Sequence, residues 1–274
     1  MGRSKQIPSL IMVGTVHRDP KGYPRLLRLL EREQPALVTV ELSPYGRIFR
    51  AQQSAAWRNT LRENLRRIEK EEGRPLRMIL SQSAILGIFF LLREPYEWRA
   101  AKAYADRHGI ILRNIDLSCY SADKFSHLSE LISLENLRTL LRIPFLDLSK
   151  QVESEYSRAR LLFFDPPFTW SPIQEVKERE AYMAEKIRSL VRREKGEKIL
   201  HIGGWEHLID FSPGKSLFGL LQDLRPQRVL LSSMANYRER QRKVGIACSA
   251  FPGEVRSNPP FMKGGQGGIL GGNL

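Results

Sequence analysis

The sequence predicts an α/β fold: a mostly parallel central sheet flanked by helices, with a helical insert at about 126–162. Three observations lead there. Five short runs rich in Ile, Leu and Val do not alternate with polar residues, which suits strands covered on both faces. Segments of helical spacing separate most of them. Strand, helix, strand in repetition is the order that right-handed crossovers on one sheet require.

The first run is Ser9–Gly14. Pro24 then fits the first turn of a helix carrying Leu26 and Leu30. The second run, Ala36–Glu41, precedes a long segment in which Trp57, Leu61, Leu65 and Ile68 share one helical face. Arginines occupy the opposite face. The apolar stretch Ala84–Leu92 is far shorter than the ~18 residues of a membrane span. A helix over Glu97–His108 stops at Gly109, and the third run follows at Ile110–Asp116. Between Ser126 and Leu162 two helical stretches follow without a strand, an insert able to roof a site. Phe163–Pro172 contains Pro166, Pro167 and Pro172 and reads as a loop. Pro172 opens a helix with Val176, Met183, Ile187, Leu190 and Val191 on one side, closed by Gly196. Lys198–Gly203 and Gln227–Ser232 are the last two runs. No internal repeat at a fixed period is present. After Met234 the periodicity fades, and six of the last twelve residues are Gly. One domain is expected over 1–243, and a loose tail over 244–274 that buries too little to offset its ordering entropy.

Composition narrows the function class. The chain is 42% hydrophobic and 27% charged, a globular balance. Cys119 and Cys248 match no zinc spacing and form no disulfide framework. The apolar run near the start is only about five residues, so no signal peptide is indicated. Gln6 breaks a myristoylation pattern. A cytoplasmic, reducing setting and no transmembrane segment are expected. Lys and Arg number 44 against 30 acids, a net charge of +14. Arg58, Arg62, Arg66 and Arg67 form the densest basic stripe. No helix-turn-helix, zinc-finger or aromatic RNA-reading motif accompanies it, so a solvated basic surface is favoured over a nucleic-acid partner.

The chemistry gathers at strand ends. Gly14 is followed by Thr15, Val16 and His17; the second strand ends at Glu41; Gly203 and Gly204 are followed by Trp205, Glu206 and His207. In an open parallel sheet all carboxyl ends lie along one edge, where ligands bind. Asp116 ends the third strand on that edge. Two imidazoles and a carboxylate can hold a divalent metal with an activated water. Without metal, a His–Glu pair can serve as a general base. Each residue alone has a plainer role: His17 capping a helix, Glu41 pairing with an arginine, His207 half-buried at a helix start. The repeated Gly-x-x-His spacing, Gly14 to His17 and Gly204 to His207, favours the joint reading. His201 reads as packed inside a strand, and His108 and His127 as surface residues. Cys119 has no histidine tied to it.

Four blocks in order resemble the TraB/PrgY/Tiki family: Val13–His17, Pro35–Leu42, Glu178–Ala184 and Ile199–His207. The resemblance covers about residues 9–232. It implies an erythromycin-esterase/ChaN-like α/β fold. In Tiki relatives it also implies a metalloprotease using the Gly-x-x-His histidines and the early glutamate. Carried over by position, the catalytic set is His17, Glu41, Arg179 and His207. The metal ligands would be His17, Glu41 and His207, around Mn, Co or Zn. Arg179 would hold a substrate carbonyl or carboxylate, or orient Glu41. Trp205 and Glu206 depart from the small residues usual in the second block, and the basic segment 47–77 and the Gly-rich tail have no counterpart.

The expectation is therefore a metal-dependent hydrolase, a peptidase or amide/ester hydrolase acting on a peptide or small molecule. The alternative is a non-catalytic peptide- or ligand-binding regulatory protein of the pheromone-shutdown type. A homo-oligomer is compatible with either.

Overall fold

The computed structural model describes residues 10–143, 147–166, 172–194, 196–209 and 216–233. The expected tail at 244–274 lies outside them.

Each of the five apolar runs forms a strand: β1 Leu10–Thr15, β2 Leu37–Val40, β3 Ile111–Asn114, β4 Ile199–Gly204 and β5 Gln227–Leu230. All pairings are parallel, in the order β3-β2-β4-β1-β5. β1, β2 and β4 are buried along their whole length, as non-alternating strands must be. β3 departs from that expectation. It lies at the sheet edge, with every second residue exposed.

The helices in chain order are α1 Gly22–Glu33, α2 Pro44–Glu72, α3 Leu76–Ser81, α4 Ser83–Leu92 and α5 Tyr96–His108. After β3 come α6 Ser118–Ser126, α7 Leu128–Leu131, α8 Leu134–Leu141, α9 Leu148–Phe164 and α10 Gln174–Arg193. The last is α11, Leu217–Leu220. Gly109 closes α5 with φ 65°, where a side chain would be strained. The insert is larger than expected. α9 runs on through Phe163 and Phe164, which the three nearby prolines had suggested were loop. The prolines lie beyond its last turn, so they never meet the helical hydrogen bonds.

Apolar cores form among the described residues. Met183, Ile187 and Leu190 of α10 pack with Leu10, Met12, Leu37 and Ile199 on one face of the sheet. On the other side α1 and α5 pack together, and α5 lies against β2 and β3. A second core joins Leu61, Leu65 and Ile68 of α2 to Ile85, Ile88 and Leu92 of α4 and Leu137 of α8. The apolar stretch Ala84–Leu92 thus serves a helical layer. Among the described residues no helix is long and apolar enough to cross a membrane.

The loop after β1 is fixed by polar contacts. Asp19 is buried and accepts from the Lys21 amide, from Arg25 and from the Tyr156 hydroxyl of α9. The Tyr96 hydroxyl of α5 donates to the Val16 carbonyl at 3.2 Å. Gly22 packs on the Tyr96 ring so closely that an added Cβ would lie 2.2 Å from it. Gly22→Ala should therefore displace Tyr96 and lose about 1–3 kcal/mol, as overpacking does. Urea unfolding should give a lower midpoint at unchanged slope; an unchanged midpoint would refute this packing.

Candidate active site

Strand order builds the site. β4 lies between β2 and β1, and Thr15 pairs in register with Gly204 while Val40 pairs with Ile202. The carboxyl ends of three adjacent strands therefore deliver Glu41, the Gly203–Gly204 pair and His17 side by side. A tight turn over Trp205–Leu208 then folds His207 back onto them. A Cβ on Gly204 would lie 3.0 Å from His17 Nε2, 3.5 Å from His207 Cδ2 and 3.6 Å from Glu41 Oε2. Glycine is needed there because any side chain would fill the space that the three groups share.

Glu41 is the hub. Its Oε1 accepts from Arg179 Nη2 and from His207 Nε2, each at 2.8 Å. Its Oε2 accepts from the Gly204 amide at 2.7 Å. Arg179 also bridges to Asp116, whose two oxygens lie 3.0 and 2.9 Å from its Nε and Nη2. Arg179 therefore orients Glu41 and ties the end of the third strand to it, as a planar guanidinium suits. His17, Glu41, Arg179 and His207 are all brought together.

Two glutamates that the sequence reading missed complete the cluster. Glu97 of α5 is buried and lies 2.9 Å from His17 Nδ1. Thr15 Oγ1 stands 3.0 Å from the same Glu97 oxygen and 3.1 Å from the Gly203 carbonyl; its single proton serves one of them. Glu180 of α10 is buried and lies 2.6 Å from His207 Nδ1. Each glutamate keeps its second oxygen buried without a partner, a cost of about 1–3 kcal/mol per atom. Functional sites are where such a cost is tolerated.

The readable signal was periodicity. Glu97 shares the buried stripe of α5 with Ala100, Ala101, Tyr104 and Ala105. Glu180 shares that of α10 with Met183, Ala184, Ile187 and Val191. An acid on an apolar stripe must be paired.

The two histidines are electrostatically distinct. His207 sits between two carboxylates. Burial works to lower its pKa, but the charges of Glu41 and Glu180 overcome this and hold it well above the usual 6.5. Burial likewise works to raise Glu41, while His207 and then Arg179 keep it well below 4.5. His17 has a half-exposed side chain. Desolvation pulls its pKa down, and the hydrogen bond and charge of Glu97 more than offset that, raising it above 6.5. Its Nδ1–H faces Glu97 and its Nε2 faces the shared space.

The metal set suggested by resemblance was His17, Glu41 and His207. His207 lies between two carboxylates, and with its pKa held high it donates to both, so Nε2 is engaged with Glu41. Both oxygens of Glu41 already receive donors. Among the described residues no group of three or more His, Cys, Asp or Glu is disposed to hold a metal ion. As placed, His207 Nε2 and Glu41 satisfy each other and are not disposed around a three-ligand divalent ion.

The other candidates lie elsewhere. His201 is buried in β4, with Nδ1 3.0 Å from Thr39 Oγ1, and burial lowers its pKa to about 4. His108 pairs with Glu31 at the surface. His127 and Cys119 are exposed. Trp205 is buried, while Glu206 is exposed.

No family model, no curated protein and no solved structure matches this chain.

The pKa directions fix how stability follows pH. Glu41 is depressed, so its pairing stabilises fully above 4.5, and the gain is lost as pH falls through its folded value. His207 is raised, so its share is full below 6.5 and is lost as pH climbs through its folded value. The two share one hydrogen bond and titrate as a pair. Glu180→Gln should cost about 3–5 kcal/mol near neutral pH, the loss typical of a broken buried pair. It should also bring the alkaline decline to lower pH. Urea midpoints across pH measure both, and overlapping wild-type and variant curves would contradict the pairing.

Proposed function

We propose that this chain is a metal-independent hydrolase of a peptide, amide or ester bond, with His17 as general base. The single observation that carries this reading is the His17–Glu97 dyad. A buried carboxylate holds one ring nitrogen, and the other faces open space beside Glu41 and His207. That is the arrangement a base needs: correct tautomer, fixed ring, accessible lone pair.

The steps follow from the groups. His17 Nε2 takes a proton from a water in the space by Gly204. The water oxygen attacks the substrate carbonyl carbon, and negative charge grows on the carbonyl oxygen. The His207 imidazolium and Arg179 provide fixed positive charge beside it. His17 then returns the proton to the leaving nitrogen or oxygen as the bond to carbon breaks. Asp116 and Glu180 act through their neighbours as positioning residues. Resemblance to the TraB/PrgY/Tiki blocks supports a hydrolytic reading, since it singles out the same four residues. It differs on the metal, which this mechanism does not use. α9 bears on the site through Tyr156, whose hydroxyl also lies 3.4 Å from the Val16 amide.

Digestion of a peptide library and a panel of aryl esters tests the proposal. Wild-type protein should cleave at least one substrate after exhaustive treatment with chelator. His17→Ala should lower the rate about 10²–10⁴-fold, the usual range for a lost general base. The rate should rise with pH through a value above 6.5, as His17 loses its proton, and fall at alkaline pH as His207 loses its own. Absence of cleavage, or cleavage that needs added Mn²⁺, Co²⁺ or Zn²⁺, would sink the metal-independent reading.

A further inference from the structure

The outer face of α2 carries charge that the cluster does not use. Arg58, Arg62, Arg66 and Lys70 stand at every fourth residue of this unbroken helix. Residues so spaced share one side of a helix and lie about 6 Å apart along its axis. The four therefore form a stripe roughly 18 Å long. Arg62, Arg66 and Lys70 are exposed and Arg58 is half-buried. Leu61, Leu65 and Ile68 turn another side of the helix into the core.

The acids of the same stretch are used elsewhere. Glu69 accepts from the Leu76 amide at 2.9 Å and so fixes the turn into α3. Glu71 pairs with Arg67 at 2.8 Å and with Arg138 of α8. Glu72 pairs with the same Arg138 at 3.2 Å. Among the described residues no carboxylate, exposed Glu63 included, lies within ion-pair distance of the four cations. Two of them bond neutral oxygens instead. Arg58 Nε donates to the Ser54 carbonyl at 3.1 Å, and Arg62 Nη1 donates to Asn59 Oδ1 at 3.2 Å. Those bonds steady the guanidiniums without cancelling their charge.

We infer that this stripe binds the sugar–phosphate backbone of a nucleic acid. Charge and spacing carry the choice. A duplex strand advances ~3.4 Å per phosphate, so cations about 6 Å apart meet roughly every second phosphate. Three of the four are arginines, whose planar fork suits phosphate oxygens. An anionic bilayer is a poorer match, because the apolar side of α2 is committed to the core and cannot enter a membrane surface. No base-reading motif accompanies the stripe, so the contact is to the backbone and independent of base sequence. The missing motif is what makes the stripe read as a solvated surface from sequence; the absence of ion pairs along it is what the structure adds. The inference needs nothing from the hydrolase reading.

Fluorescence anisotropy of the full-length protein with a short labelled DNA duplex, and with a single-stranded RNA of equal length, tests this. Binding should appear at low salt and fall steeply as salt rises. Four phosphates met on a duplex give a log–log slope of about −3.6 or steeper. The tighter of the two nucleic acids identifies the partner. Arg62→Gln/Arg66→Gln should weaken binding about tenfold or more and flatten the slope by about two. Both side chains are exposed and Gln is close to Arg as a helix former, so the melting temperature should hold. Lys186→Gln/Arg192→Gln, at exposed positions of α10, removes the same charge elsewhere and should leave the slope unchanged. No binding at low salt, equal effects of the two double variants, or tighter binding to phosphatidylserine vesicles or polyglutamate than to either nucleic acid would overturn the inference.

Discussion

A protonated imidazole clasped by two carboxylates holds the candidate site together. His207 donates from one nitrogen to Glu41 of the second strand and from the other to Glu180 of α10. Through Glu41 the clasp reaches Arg179 and Asp116, and so the third strand. Through the Gly204 amide it returns to its own strand. One side chain thus ties a helix to three neighbouring strands. Two buried charges without a third would be costly; a cation between two anions repays much of that desolvation.

That clasp rests on strand order. With β4 inserted between β2 and β1, chain segments more than a hundred residues apart end beside one another. The two glycines that end β4 leave room between the histidines. The division of labour follows from the partners. His17 has one carboxylate behind it and space in front. His207 has carboxylates on both sides and is held as a cation. Two Gly-x-x-His segments of equal spacing therefore have unequal chemistry, which spacing alone cannot reveal.

Much of this was readable from the sequence. The five strands, the stop at Gly109 and the convergence of His17, Glu41 and His207 follow from apolar runs, glycine and the single edge of a parallel sheet; Arg179, on a helix, was pointed to only by the resemblance. Other features depended on tertiary pairing. β3 reads as a buried strand until its edge position is known. Prolines near α9 signalled a loop two residues too early, because they disrupt a helix only where they enter its hydrogen bonds. Glu97 and Glu180 looked like ordinary helix acids, although their place on the apolar stripes of α5 and α10 marked them. The metal set suggested by resemblance rested on residue types. Whether a lone pair is free depends on second partners: Glu97 leaves His17 Nε2 bare, whereas Glu180 and Glu41 together engage both nitrogens of His207.

The central claim is that His207 is a doubly protonated cation while His17 presents a bare Nε2. Nitrogen-15 NMR of the histidine rings in chelator-treated protein at mildly alkaline pH tests it most directly. The account predicts two protonated ring nitrogens for His207, and for His17 a protonated Nδ1 with an unprotonated Nε2. A neutral His207 with one bare nitrogen, or both rings shifting together on adding one equivalent of Zn²⁺, would contradict it.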